Sequence, residues 1–140
     1  WLLQYDHHAG VQRLVRDLNA LYRSQPALHV LDCDGAGFEW IDAHDGERSL
    51  YAWLRRDGQG GCVLVAVNMT PLPRTGFRLG VPDGVDAWTE ALNTDSAHYG
   101  GSNLGNGGAA LRVEPVASHG RAQSIMLMLP PLATVFLVAA

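Results

Sequence analysis

The sequence has 140 residues, a formal net charge of −4 and a hydrophobic fraction of 47%. A chain of this length can form one domain with its own core, and the composition excludes disorder as the default. All ten basic residues are arginines that form no cluster, so nucleic acid is not an expected partner. No apolar run approaches the ~20 residues of a membrane helix, so no membrane association is expected.

The first predicted element is an amphipathic helix between Ala9 and Arg23. Its apolar residues recur at helical spacing: Val11, Leu14, Val15, Leu18, Leu21 and Tyr22. Asp6 suits the helix start, because a carboxylate there meets free backbone N–H groups and the positive end of the helix dipole. Pro26 ends the helix, because the residue before a proline avoids the helical conformation.

After Pro26 the pattern changes to short segments of strand character separated by turn residues. Val63–Val67 is a continuous apolar run, typical of a central strand. The other candidate strands are Phe38–Asp42, Leu50–Arg55, Phe77–Val81, Ala87–Leu92, Leu111–Glu114, Ser124–Leu129 and Thr134–Val138. This pattern predicts an all-β fold, an antiparallel β-sandwich or barrel of about eight strands, preceded by the one helix.

The stretch Tyr99–Gly108 has five glycines in ten residues and fits neither pattern. No Gly-Lys-Ser or Gly-Lys-Thr follows it, and the residues after it resemble a strand, so a phosphate-binding loop is not favoured. We expect a long loop with a structural or partner-contacting role.

The residues that could carry catalysis form no recognisable site. The six histidines make no zinc-binding spacing, and no serine lies in a GxSxG motif. Glu39 and Asp42 flank Trp40 on a predicted strand, and period-two geometry places the two carboxylates on opposite faces. We therefore expect no catalytic residue, no metal site and no cofactor within the chain.

Cys33 and Cys62 form no CxxC motif and are expected to be reduced thiols in a cytoplasmic protein. Trp40, Trp53 and Trp88 lie on predicted strands. A tryptophan there either fills the core or an interface, or stacks on the face of a sugar. Both interpretations remain open for all three.

Five stretches, in chain order, carry a resemblance to a known family. They are HAGVQRLVRDLNALYRSQPALHVLDCD, GFEWIDAHDGERSLYAWLRR, VLVAVNMTPLPRTGFRLGVP, EALNTDSAHYGGSNLGN and HGRAQSIMLMLPPLATVFLV. The chain resembles the C-terminal end of bacterial 1,4-α-glucan (glycogen) branching enzymes, members of glycoside hydrolase family 13. LNTDSAHYGGSN and PRTGFRLGVP are the most specific of these motifs.

The resemblance implies a catalytic (β/α)8 barrel followed by a β-sandwich of the α-amylase C-terminal type. Residues 1–31 would be the end of the barrel, a loop and its last helix, and residues 32–140 the C-terminal sandwich. The family cleaves α-1,4 links and forms α-1,6 branches, using an Asp nucleophile and a Glu acid–base. Neither carboxylate has a counterpart here, so no catalytic residue is carried over and no cofactor is implied.

Three roles follow from the resemblance. The chain would stabilise the catalytic barrel of its parent, and the exposed helix stripe would otherwise favour self-association. Alternatively, it would be an accessory module that binds α-glucan, with Trp88, Asp95, Tyr99 and Asn103 as candidate contacts. As a third possibility, it would be the same domain of another family 13 enzyme, such as a trehalose hydrolase or a maltosyltransferase.

Overall fold

A computed structural model describes residues 1–44, 46–47 and 49–140. Helix α1 spans Asp6–Ser24. The eight strands of the described residues are β1 Phe38–Asp42, β2 Leu50–Arg56, β3 Cys62–Asn68, β4 Arg74–Gly80, β5 Ala87–Asn93, β6 Leu111–Arg112, β7 Ser124–Leu129 and β8 Ala133–Ala139. The prediction of one helix followed by eight strands is confirmed. The helix starts earlier than its apolar stripe does, with Asp6 in its first turn.

The strands form two antiparallel sheets. The larger sheet has the order β1-β2-β3-β8-β5-β6, and β4 pairs with β7 in a second, two-stranded sheet. The main core contains side chains from both sheets, because alternate residues of each strand point to the same side. Leu54 and Leu64 contribute from the larger sheet and Leu79 and Ile125 from the smaller one, all fully buried.

The larger sheet is also covered on its outer face. Val63 and Val65 of β3 form a second small core there with Ala27 and Leu28, which follow the end of α1. Leu21 of α1 packs against the same cluster. Because β3 is buried on both faces, its sequence is a continuous apolar run rather than an alternating one.

Strand β1 contains a β-bulge that corrects one expectation. Glu39 pairs with Leu54 and Asp42 pairs with Ala52, so the register shifts at Ile41. The extra residue brings Glu39 and Asp42 onto the same face of the sheet, although period-two counting placed them on opposite faces.

Replacing Val65 tests the second core. Val65→Asp places an unpaired carboxylate in a site that is 1% exposed, and we expect the free energy of unfolding to fall by about 3–5 kcal/mol. Urea unfolding measures this, with Val30→Asp at an exposed site as the control, expected to change stability by about 0.5 kcal/mol or less. Equal midpoints for Val65→Asp and wild type would show that this face of β3 is not core.

Candidate functional site

The loop that follows β5 is organised around the carboxylate of Asp95. Its Oδ1 accepts a hydrogen bond from the Ser102 N–H at 2.9 Å. Its Oδ2 accepts from the Ser102 hydroxyl at 2.6 Å and from the Leu104 N–H at 3.1 Å. A Cβ on Gly101 would overlap the carbonyl group of Asp95, so the tight approach requires glycine at that position. The loop is therefore a folded unit rather than a loose connection.

Three asparagines stabilise this loop, and two of them, Asn93 and Asn106, connect it to the two sheets. The Asn93 amide donates to the Leu104 carbonyl, and Asn103 Oδ1 accepts from the Ala97 N–H. Asn106 pairs with the backbone of Met128 as a neighbouring strand would: its amide donates to the carbonyl and its Oδ1 accepts from the N–H. The same Asn106 amide donates to Glu90 at 2.8 Å. The loop is thus fixed to β5 and to β7.

The same loop holds helix α1. The Tyr99 hydroxyl donates to Asp17 Oδ2 at 3.1 Å, and Arg13 Nε donates to the carbonyl of His98 at 2.7 Å. Gly10 is buried against Tyr99, where any Cβ would overlap the tyrosine carbonyl oxygen. We call the set Gly10, Arg13, Asp17, His98 and Tyr99 the helix latch.

Electrostatics keep the acceptor of the helix latch ionised. Arg16 Nε lies 2.9 Å from Asp17 Oδ1, and this hydrogen bond is the main reason why the pKa of Asp17 is lowered. The Tyr99 hydroxyl contributes in the same direction. Partial burial, followed by the hydrogen bond to Asp17, raises the pKa of Tyr99, so the phenol stays a donor.

The structure places the four candidate carbohydrate contacts in two different environments. Trp88 is wrong as a stacking platform, because its side chain is 0% exposed and belongs to the core between the sheets. Asp95, Tyr99 and Asn103 do lie together in one loop. Their contact with a carbohydrate stays a prediction, and the bonds described above give each of them a structural role.

A small polar cavity of about 210 Å³ lies between this loop and β5. Its lining includes Glu90, Asn93, Ser96 and Asn103, together with the backbone of three glycines. The scarcity of side chains along the glycine segment is what leaves this space open.

An exposed aromatic cluster of Phe38, Trp40 and Trp53 lies elsewhere, on β1 and β2. Trp40 pairs with Trp53 across the strands, and their rings meet edge to face with centroids 5.9 Å apart. Phe38 packs on Trp40 at 5.0 Å. Trp40 is 53% exposed and Phe38 39%. Sequence reasoning named both tryptophans but missed Phe38, whose alternation with Trp40 along β1 was the available signal.

An apolar cavity of about 340 Å³ adjoins this cluster, between α1 and the sheet. Leu18 and Tyr22 of the helix line one part of it, and Trp53 and Phe136 line the sheet part. Asp32 and Arg55, which form an ion pair at 2.8 Å, also line it.

Ser118, His119 and Asp42 make an arrangement that sequence spacing does not reveal. His119 Nδ1 lies 2.9 Å from the Ser118 hydroxyl, and Nε2 lies 3.3 Å from Asp42 Oδ2. The contacts from a serine hydroxyl through a histidine to an aspartate resemble those of a hydrolase catalytic triad. In this chain, however, Nδ1 of His119 also accepts a hydrogen bond from the backbone N–H of Gly80 at 3.2 Å. Glu39 and Arg121 form an ion pair beside it. The group therefore holds the turn before β7 against β1 and β4.

Within residues 1–44, 46–47 and 49–140, no three His, Cys, Asp or Glu side chains are grouped so as to hold a metal ion. No helix in this part of the chain is long and apolar enough to cross a membrane.

Fold and site together define a class: a two-sheet β domain with an attached helix, in which a polar loop fastens the helix to the sandwich. The family model of the C-terminal all-beta domain of alpha amylase matches residues 40–140. The chain belongs to this family.

Relatives of known name match almost the whole chain. It is 59% identical over 138 residues to the 1,4-alpha-glucan branching enzyme GlgB of Cupriavidus pinatubonensis, and 56% identical to that of Ralstonia nicotianae. Each match covers 97% of this chain but 18% of the relative. The chain thus corresponds to the C-terminal domain of such an enzyme and spans less than a fifth of its length.

A solved structure supports the fold alone. The crystal structure of a MutB variant in complex with glucose aligns with a TM-score of 0.50 and 23% sequence identity. The alignment covers 89% of this chain and 17% of MutB.

Removing the Asp95 carboxylate tests whether it organises the loop. Asp95→Ala leaves the Ser102 and Leu104 N–H groups without their acceptor, and we expect the free energy of unfolding to fall by about 2 kcal/mol. Asp83→Ala, at an exposed turn residue, is the matched control and should change stability by about 0.5 kcal/mol or less. If both variants unfold at the same urea concentration, the loop does not depend on Asp95.

Proposed function

We propose that this chain serves a 1,4-α-glucan branching enzyme as the non-catalytic domain that supports its catalytic barrel. The observation that carries the proposal is the outward face of α1. Val11 is 59% exposed, Val15 51% and Tyr22 45%, although all three belong to the apolar stripe of the helix. Exposed apolar residues in a row indicate a surface that another body covers.

The two sides of α1 explain why that body is expected to be the barrel. The helix latch and Leu21 attach one face of α1 to the sandwich, so the separate face with Val11 and Val15 is presented outward. Under this proposal residues 1–31 complete the barrel and residues 32–140 form the sandwich. The barrel supplies the catalytic carboxylates and most α-glucan contacts. A chain separated from the barrel would cover the same face by self-association.

The two free thiols, one of them exposed, suit a reducing compartment. We therefore place the parent enzyme in the cytoplasm.

A domain exchange tests this function. The C. pinatubonensis enzyme is produced with its matching 138 residues replaced by this chain, and α-1,6 links formed in amylose are counted after debranching. We expect the exchanged enzyme to form branches at a rate within about threefold of the native enzyme, since the two chains are 59% identical over these 138 residues. An inactive or insoluble exchange product beside an active native enzyme would contradict the proposal.

Charges added to the docking face, the outward apolar surface of α1 with Val11 and Val15, test whether the barrel covers this surface. In the exchanged enzyme, Val11→Lys with Val15→Lys should abolish soluble active protein, because the two ammonium groups would be buried against the barrel. Gln12→Lys adds a charge on the same helix at an exposed residue outside the apolar stripe and should leave branching intact.

A second function is supported by the exposed aromatic cluster. Phe38, Trp40 and Trp53 offer apolar ring surface of the kind that stacks on sugars, and Arg55 and Asp32 nearby can bind hydroxyl groups. We propose that this cluster, and not Trp88, is where the sandwich would hold an α-glucan chain.

Tryptophan fluorescence measures that binding. Titration of the 140-residue chain with maltoheptaose or glycogen should give saturable quenching, weakened at least fivefold by Trp40→Ala. Trp1→Ala, which also removes an exposed tryptophan, is the control and should bind as wild type does. If neither glucan changes the fluorescence, or if Trp40→Ala binds as tightly as Trp1→Ala, the cluster is not a glucan site.

A further inference from the structure

We propose that Tyr99 is a positioning residue of the parent enzyme: through the helix latch it sets the position of the first half of α1 relative to the sandwich. The inference rests on the proposed function, since it takes α1 as the last helix of the barrel. It assigns a purpose to the LNTDSAHYGGSN motif, which neither the fold nor the proposed docking face explains.

The contacts of the helix latch form a separate stripe on α1. Gly10, Arg13 and Asp17 are three and four residues apart, so they share one face of the helix. That face differs from the outward face with Val11 and Val15. Small size at Gly10 lets the backbone of Tyr99 approach, and two hydrogen bonds on the following turns fix the helix along its axis and around it.

The loop can transmit position because a hydrogen-bonded path links it to a core strand. Asn93, which is 8% exposed at the end of β5, accepts the N–H of Asp95 at 2.9 Å. Asp95 holds Ser102 and Leu104, and Ser96 Oγ accepts the N–H of His98 at 3.2 Å. Tyr99 then donates to Asp17. Between these hydrogen bonds, the backbone itself joins Asp95 to Ser96 and His98 to Tyr99, so a continuous path runs from β5 of the sandwich to Asp17.

The two halves of α1 are held by different means. The second half is held by apolar contacts, since Leu21 packs against Leu28 and its cluster. The segment Gly10–Asp17, nearer the helix start, depends on the helix latch. Loss of the latch therefore leaves the helix attached at one end and free to move at the other.

The first half is the end that matters for the reaction. Under the proposed arrangement the segment Trp1–Tyr5 connects the last barrel strand to α1, and connections of that kind line the active site of a barrel. A shift of Gly10–Asp17 would move this connection and the glucan contacts beside it. The atoms of Tyr99 itself need not touch glucan for its loss to alter glucan binding.

The exchanged enzyme described above tests this. Tyr99→Phe removes only the hydroxyl, and we expect the KM for amylose to change at least twofold and the length distribution of transferred chains to shift. Both quantities are independent of the amount of active enzyme, so a merely structural role would not move them. The melting temperature should stay within about 2 °C of the unsubstituted exchange.

Variants of α1 test the contact with Tyr99 from the helix side. Asp17→Ala removes the same bond together with the contacts of Asp17 to Arg16 and His98, so it should shift both quantities at least as far as Tyr99→Phe does. Adding Tyr99→Phe to Asp17→Ala should have no further effect, because the shared bond is already absent. Gly10→Ala raises the helix propensity, but its Cβ would displace the helix from Tyr99. It should therefore also change the KM for amylose and the length distribution of transferred chains. Tyr51→Phe removes a tyrosine hydroxyl from β2 and is the control.

The outcomes separate the two proposals. If the unsubstituted exchange forms no branches while the native enzyme does, the proposed function fails. If it branches normally and Tyr99→Phe, Asp17→Ala and Gly10→Ala leave KM and chain lengths unchanged, the function stands and the positioning role of Tyr99 is overturned. Additive effects of Tyr99→Phe and Asp17→Ala would also overturn it.

Discussion

The carboxylate of Asp95 is the constraint on which the arrangement of helix and sandwich depends. It accepts three hydrogen bonds from Ser102 and Leu104 and so closes a glycine-rich segment into a rigid loop. In that folded form the loop presents Tyr99 to Asp17 of α1. Because one face of α1 is fastened in this way, its apolar residues on a separate face are turned outward. The surface proposed to support a barrel is thus a consequence of a polar loop.

Two exposed apolar surfaces border the same cavity. Tyr22 on the outward face of α1 and Trp53 of the aromatic cluster both line it. A barrel seated on α1 would therefore lie next to the aromatic cluster, and a glucan chain held there would lie near the barrel. Support of the barrel and retention of glucan are compatible roles for one domain, and they depend on different side chains.

Most of the fold could be predicted from the sequence, because the local spacing of apolar residues indicates each helix and strand. The helical stripe of α1, the alternation of β2 and the continuous run of β3 each report which faces are buried. The site could not be predicted in the same way. The bulge at Ile41, the meeting of Tyr99 with Asp17 and the grouping of Ser118, His119 and Asp42 all join residues brought together only by tertiary folding. The prediction that Trp88 contacts carbohydrate was wrong for a different reason. Alternation with period two shows that β5 has two faces, but it does not tell which of them is buried.

Hydrogen exchange of the α1 amides in the 140-residue chain tests the central claim most directly. The account predicts that Gly10–Asp17 is protected in the wild type. It also predicts that Tyr99→Phe accelerates exchange in this segment roughly fivefold, as loss of one hydrogen bond worth about 1 kcal/mol requires. Amides of β3 should exchange at the same rate in both proteins. Equal rates for Gly10–Asp17 in the two proteins, or an unprotected first half of α1 in the wild type, would contradict the claim that this loop holds the helix.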